Sequence, residues 1–119
     1  MIRYSTEPNS SVVELAVEGH ITDAELKASI DRMRLDLEQN GKTRVLEIIA
    51  RFTGMEPAAL WTQLTQAWPL AQKIERAAVV ADQPWIRAMT SLGPLFTHAQ
   101  VKAFAPDEID QARAWIAAP

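Results

Sequence analysis

The chain has 119 residues, of which 48% are hydrophobic and 23% charged, and it contains no cysteine. This length and composition predict one globular domain spanning residues 1–119. The absence of cysteine excludes disulfides, thiolate nucleophiles and thiolate metal sites. The net charge of -3 comes with scattered Lys and Arg residues, so the chain lacks the basic stripe that nucleic-acid binding requires.

The chain has no recognisable targeting or membrane-spanning segment. Its N-terminal residues, MIRYSTEPNSS, contain no apolar h-region. No apolar stretch reaches the roughly 18 residues that a membrane-spanning helix needs. The sequence therefore predicts a cytoplasmic protein, whose contact with a membrane would be peripheral.

The first third of the chain predicts two strands followed by an amphipathic helix. Residues 2–5 form a short strand, and residues 12–19 form a second one in which apolar and other residues alternate. Thr22 and Glu25 have the spacing of a capping box, which predicts a helix start. Gly41 ends this helix as a left-handed cap. We expect the first strand to be an antiparallel edge strand.

Three further strands then alternate with three further helices. The strand sequences are RVLEII (44–49), RAAVVA (76–81) and QVKAF (100–104). Pro57, Pro84 and Pro106 suit the first turns of the three helices. Pro69 lies inside the second helix and is expected to kink or split it, and Gly93 with its following proline ends the third. The order predicts an α/β domain with a five-stranded, mostly parallel mixed sheet and four helices, placed on both of its faces.

Five stretches, which follow one another over nearly the whole chain, carry a family resemblance. They are VEGHITDAEL (17–26), RVLEIIARFTGMEPAALW (44–61), IERAAVVADQPWIRAM (74–89), FTHAQVKAF (96–104) and PDEIDQARAWI (106–116). This ordered set resembles the SpoIIAA-like family, a branch of the STAS domains related in shape to the CRAL-TRIO lipid-binding fold. The resemblance implies a five-stranded mixed sheet with four helices and no known catalytic activity. It also implies an apolar pocket under mobile helices, and membrane association.

One segment departs from the pattern of the anti-anti-sigma STAS proteins. Those proteins present a phosphorylatable serine after an aspartate, at the start of the helix that follows the third strand. The matching segment here, ARFTGMEP (50–57), has no Asp-Ser pair, and Thr53 carries its only hydroxyl. We therefore do not carry the phosphorylation switch over to this chain.

The second and third helices hold more apolar side chains than a helix on a small sheet needs to bury. Core packing explains most such stripes, but two on consecutive helices also indicate an apolar pocket with the helices as its lid. Breakers at Pro69 and Gly93 supply hinge positions for a lid. The residues assigned to this pocket and lid are Trp61, Leu64, Trp68, Asp82, Trp85, Met89, Leu92 and Phe96. Whether the two helices share a face of the sheet depends on strand order, so both interpretations stay open.

Other chemistries have weaker support in the sequence. Asp82 suits either a ligand anchor or an N-cap or turn residue before the third helix, and Arg51 either a partner for Asp82 or a solvated side chain. His20 and His98 lack the spacing of metal ligands, and no serine lies in a nucleophile elbow. The four glycines form no phosphate-binding loop. We expect no metal and no cofactor.

These patterns predict a non-enzymatic domain that binds an apolar or lipid-like small molecule, with peripheral membrane contact as an extension of the same chemistry. The alternative is a STAS-type interaction or regulatory module, in which the apolar patch meets another protein or a second copy of the chain as a homodimer. A third hypothesis is an enzyme that uses Asp82 or His20 as an acid or base.

Overall fold

The alternation of apolar residues along the chain builds a five-stranded sheet in the computed structural model, which describes residues 1–95 and 97–119. The predicted pocket residue Phe96 lies outside the described residues. The strands are β1 (Ile2–Thr6), β2 (Val12–Ile21), β3 (Arg44–Met55), β4 (Arg76–Ala81) and β5 (Gln100–Phe104). The helices are α1 (Asp23–Gln39), α2 (Pro57–Thr62), α3 (Trp68–Leu70), α4 (Pro84–Thr90) and α5 (Ile109–Ala117). The predicted fold class is confirmed, with α2 and α3 both lying within the second predicted helix.

The strands are arranged in the sheet in the same order as in the chain, β1-β2-β3-β4-β5. β1 pairs antiparallel with β2, as predicted for an edge strand, and the other three pairings are parallel. Parallel strands are joined by right-handed crossovers, and here every crossover steps in the same direction across the sheet. The three crossover connections therefore cover one face, which we call the crossover face. α5, which follows the last strand, covers the other.

The face under α5 is tightly closed. Its core consists of Leu46, Ala78, Val80, Phe104, Ala112 and Ile116, none of which is more than 3% exposed. The rings of Phe104 and Trp115 pack with their centroids 6.2 Å apart. Ala112 and Ile116 of α5 thus lie in the core, with Ile109 and Trp115 packed against it. A smaller cluster on the crossover face joins Val13, Leu15 and Val45 to Met33 of α1.

The predicted boundaries of α1 are confirmed by its hydrogen bonds. The Thr22 hydroxyl accepts from the backbone N–H of Glu25 at 3.2 Å, and the Glu25 carboxylate accepts from the backbone N–H of Thr22 at 3.0 Å. At the other end, Gly41 has a φ of +70°, the left-handed conformation that glycine adopts without a steric penalty. The capping box and the glycine set the two ends of α1, and Met33 packs it against the crossover face.

β3 is longer than predicted because its last part pairs irregularly. The prediction ended at residue 49, whereas the strand continues to Met55. Its pairing with β2 shifts around Gly19, so that Arg51 has no opposite residue and takes a φ of +49°. A bulge of this kind bends a strand and breaks the simple alternation from which strand ends are predicted.

Pro69, which was expected to kink or split the second helix, lies where the helix changes type and does not split it. α2 ends at Thr62, a π-helical turn spans Gln63–Ala67, and α3 begins at Trp68. The backbone N–H of Trp68 donates to the carbonyl of Gln63, five residues earlier. Proline lacks an N–H and its ring crowds the preceding turn, so a wider turn just before it accommodates the ring without ending the helical path.

Tyr4 fastens β1 to α1, and we expect Tyr4→Phe to lower the free energy of unfolding by about 1–2 kcal/mol at pH 7. The Tyr4 hydroxyl donates to Asp36 at 2.5 Å, and this bond lowers the pKa of Asp36. Since the folded pKa of Asp36 lies below the unfolded one, its stabilisation exists above the ordinary value of 3.8 and is lost as the pH falls through the folded pKa. Urea denaturation from pH 7 to pH 2 should show the gap between wild type and variant closing. A gap that is independent of pH would contradict this account.

Candidate functional site

The second helical segment comprises α2, the π-helical turn, α3 and the turn that follows, over residues 57–73. The strand order places this segment and α4 on the crossover face, whereas the sequence left open whether they share a face. The Thr97 hydroxyl donates to the carbonyl of Ala71 at 3.3 Å, joining the chain after α4 to the end of the second segment. A Cβ built at Gly93 would lie 3.2 Å from the side chain of Val101, which is on the crossover face. The two predicted lid elements are neighbours there.

Both elements expose their large apolar side chains. Trp61 is 69% exposed, Met89 63% and Leu95 75%. The full set, which we call the tryptophan surface, is Leu60, Trp61, Leu64, Trp68, Trp85, Met89, Leu92 and Leu95. Each is at least 46% exposed, so the interpretation of these stripes as core is wrong.

Only a few side chains of these elements, most of them small, are buried against the rest of the protein. The second segment buries Ala59, Thr62 and Leu70, and α4 buries Ile86. The Thr62 hydroxyl also donates to the Asp23 carboxylate of α1 at 2.5 Å. The buried side of each element is thus formed by a few mostly small side chains, while the large apolar side chains of the tryptophan surface stay about half exposed or more.

Charge is nearly absent from the same two stretches. Residues 57–72 contain no Asp, Glu, Lys or Arg, and residues 84–101 contain only Arg87. The Arg87 guanidinium donates to the carbonyl of Ala81, the last residue of β4, at 2.6 Å. α1, by contrast, alternates acidic and basic residues along its length, as solvated helices usually do. A surface this apolar and this neutral is typical of a binding site.

The sheet beneath these elements is incompletely covered. In-register pairing puts the side chains of Glu47 and Ile49 of β3 on the crossover face, together with Val79 and Ala77 of β4. All four are partly exposed, as is Val101 of β5. On the opposite side of the same strands, Leu46, Ala78, Val80 and Phe104 are buried in the α5 core, and Ile48 is partly buried against it. The crossover face therefore offers an apolar floor that the helices leave partly open.

Glu47 is the one charged residue of that floor. It lies in the middle strand of the sheet, in register with Leu15 on one side and Val79 on the other. Burial raises its pKa above the ordinary range. No hydrogen bond or ion pair joins it to any described residue. Its oxygens stay in contact with solvent, because Arg76 Nε is the only sealed, unpartnered polar side-chain atom in the described part of the chain.

Asp82, predicted as an anchor or as an N-cap or turn residue, is used at the bulge of β3. Its carboxylate accepts from the backbone N–H of Arg51 at 2.9 Å. The N-cap of α4 is Gln83, so the N-cap interpretation of Asp82 is wrong. The Arg51 guanidinium pairs with Glu18 and not with the Asp82 side chain.

Gln83 and Phe52, which no sequence pattern singled out, both contact Trp85. The Gln83 side chain donates to the carbonyl of Phe52 at 2.8 Å and accepts from the indole N–H of Trp85 at 2.5 Å. The Phe52 ring lies 6.2 Å from the Trp85 ring. These contacts orient Trp85 relative to the end of β3. They join parts of the chain about 30 residues apart, and no local pattern signals them.

The cavities described in the structure lie elsewhere. One of about 540 Å³ is lined by Arg3, Tyr4, Ser5, Glu14 and Ala16, and contains none of the predicted site residues. A second, of about 380 Å³, runs beside Leu46 and Arg113 at the α5 face. An enclosed pocket under the helices thus stays a prediction, while the exposed surface and its partly open floor are observed.

Several other expectations concern chemistry. Among residues 1–95 and 97–119, no group of three or more His, Asp or Glu side chains is placed to hold a metal ion. In that same part of the chain, no helix combines the length and apolarity needed to cross a bilayer. Thr53 lies within β3 and not at a helix start. Its position differs from that of the phosphorylated serine in the anti-anti-sigma pattern.

Comparison with known proteins confirms the predicted resemblance. A family model described as SpoIIAA-like matches residues 12–117. An uncharacterized DUF3478-family protein from Shewanella loihica PV-4 with a SpoIIAA-like fold has a TM-score of 0.73 and 14% identity, covering 98% of this chain and 92% of that one. The anti-sigma factor antagonist SpoIIAA in its unphosphorylated form has a TM-score of 0.60 and 13% identity, covering 95% of this chain and 98% of that one. The Bacillus cell fate determinant SpoIIAA in its phosphorylated form has a TM-score of 0.64 and 15% identity, covering 95% of this chain and 100% of that one. None of the curated proteins compared with the chain matches it.

Proposed function

We propose that this chain, which belongs to the SpoIIAA-like family, is a non-enzymatic binding module that holds an apolar or amphipathic small molecule on its crossover face. The alkyl part of the ligand lies along the tryptophan surface and against the partly open floor of the sheet. The observation that carries the proposal is the exposure of eight large apolar side chains on two neighbouring, almost uncharged segments of one face.

The size of the tryptophan surface supports this function. Using about 150–250 Å² for a whole aromatic side chain, the exposed fractions of the three tryptophans alone correspond to roughly 250–420 Å², to which four leucines and a methionine add. The largest apolar patch on a typical monomer is about 300–600 Å² and is often functional. Covering this area with an alkyl chain is favourable by about 25 cal/mol per Å². Bilayer contact would use the same side chains, since tryptophan is enriched at membrane interfaces.

The test is isothermal titration calorimetry with decanol, an uncharged ligand with one alkyl chain, and with zwitterionic lipid vesicles. We expect Leu64→Gln to weaken decanol binding about tenfold, because one buried leucine side chain accounts for about 1.4 kcal/mol or more. Leu35→Gln is the matched control. Leu35 is 49% exposed on α1, comparable to Leu64 at 55%, and lies outside the tryptophan surface.

Absence of a binding heat with both decanol and vesicles at two well-separated temperatures would refute the proposal, because the heat-capacity change of apolar burial prevents a zero enthalpy at both. Equal loss of binding in the Leu64 and Leu35 variants would refute the assignment of the site. Vesicle binding without decanol binding would restrict the function to a membrane surface.

Protein interaction is the second candidate, and the family membership favours it, since one structurally similar protein is described as an anti-sigma factor antagonist. In this case the tryptophan surface meets another protein or a second copy of the chain. An area of about 800 Å² per partner is enough for a stable interface. Native mass spectrometry distinguishes the cases: a dimer lost in Leu64→Gln supports self-association, and a monomer carrying an extractable adduct supports the small ligand.

A further inference from the structure

We propose that Glu47 is the recognition group for the polar end of the ligand, and that the ligand is an amphipathic amine, with an alkyl chain and a protonated amino head. This inference rests on the proposed function. It adds the class of headgroup, which the apolar surface alone does not specify.

The position of Glu47 is the first argument. It lies at the centre of the sheet on the crossover face, the face that carries the tryptophan surface, with Leu15 and Val79 beside it. It is the only charged side chain on the part of β3 and β4 that forms the floor. A ligand lying between the helices and the sheet would meet one ionisable group there, and that group is a carboxyl.

The missing partner is the second argument. The other acidic side chains on strands or helix ends of this region are engaged: Asp82 with the backbone of Arg51, Glu18 with the Arg51 guanidinium, and Asp23 with Thr62. Glu47 contacts no cation or donor among the described residues, although burial opposes its ionisation. Because its oxygens stay in contact with solvent, water is their donor in the free protein. A ligand that covers the floor displaces this water and must supply a donor of its own.

The chemistry of the donor follows from the surroundings. An ammonium group offers three N–H donors and a positive charge, and hydrogen bonds between ionised groups are about twice as strong as neutral ones. A hydroxyl head supplies a single neutral donor, and a carboxylate head repels an ionised Glu47. The cations of the elements over this face have other partners, because Lys73 pairs with Glu38 and Arg87 donates to the Ala81 carbonyl.

The experiment compares decylamine, decanol and decanoate, which share one alkyl chain, by calorimetry at pH 7 below their micelle concentrations. We expect decylamine to bind at least tenfold more tightly than decanol and decanoate to bind most weakly. Glu47→Gln should remove the advantage of decylamine over decanol. Glu7→Gln removes the same charge from an exposed residue and should leave the order of the three ligands unchanged.

The outcomes separate this inference from the proposed function. If the three ligands bind equally, or if Glu47→Gln keeps the preference for the amine, the role of Glu47 is refuted and the apolar binding module stands. If Glu7→Gln lowers amine binding as much as Glu47→Gln does, net charge explains the preference and Glu47 does not. If none of the three ligands binds, the proposed function fails and the headgroup assignment fails with it.

Discussion

Leu46→Ala is expected to lower the free energy of unfolding by about 3–4 kcal/mol, whereas Leu64→Ala is expected to change it by less than about 0.5 kcal/mol. Leu46 is 1% exposed at the centre of the core under α5. Removing its side chain leaves a cavity that the strands around it cannot close. Leu64 is 55% exposed, and alanine is a good helix former, so its loss removes little that folding depends on.

Urea denaturation followed by far-UV circular dichroism gives both values by linear extrapolation. The two leucines are chemically identical and both lie in predicted elements, so a difference in the free energy of unfolding reflects their difference in burial. A loss of 2 kcal/mol or more in Leu64→Ala would mean that the tryptophan surface is covered in solution. Repeating the measurement at several protein concentrations then separates self-association, which depends on concentration, from closure within one chain.

Glu47→Gln is expected to stabilise the free protein at pH 7 by about 1–2 kcal/mol, because partial burial disfavours an ionised carboxyl that pairs with no cation among the described residues. Burial raises the folded pKa of Glu47 above its ordinary value of 4.5. The stabilisation from a protonated Glu47 is therefore complete below pH 4.5 and is lost as the pH rises through the folded pKa. Glutamine, which is neutral throughout, keeps this contribution at every pH.

The measurement is thermal unfolding of wild type and variant from pH 3.5 to pH 8. Wild type and Glu47→Gln should have the same melting temperature at the acidic end and differ by roughly 5 °C at the neutral end. Glu7→Gln should show no such divergence, since that side chain is exposed. A Glu47→Gln variant that is less stable than wild type at pH 7 would show that the ionised carboxyl has a stabilising partner in solution.

Much of the fold could be predicted because it depends on local signals. The capping box at Thr22, the prolines at helix starts and the helix irregularity at Pro69 each act through the residues beside them. Strand β5 was predicted with its observed bounds, because five residues between turn-forming segments leave little freedom. The end of β3 could not be predicted, since its last residues pair across a bulge with β2, and pairing across a bulge has no local signature.

The candidate site was only partly predictable for a similar reason. Periodicity identifies Trp61 and Leu64 as one stripe, but the direction in which a stripe faces depends on which small residues pack beneath it. Here Ala59 and Thr62 take the inward positions, and the larger side chains turn outward. Glu47 could not be predicted as a site residue, because a single acidic residue within an apolar strand forms no recognisable motif. Its significance comes from strand order, which places it at the centre of the sheet.

The sequential strand order has a consequence for how the chain acquires its structure. Every strand pairs with the one that precedes it, so each new strand can add to a sheet that already exists. Each pairing of two strands closes a loop no longer than one connection between them. Short loops carry a small entropic penalty and favour fast folding. α5 follows β5 in the sequence and packs on strands β3, β4 and β5. The core under α5 can therefore close only after these three strands have paired.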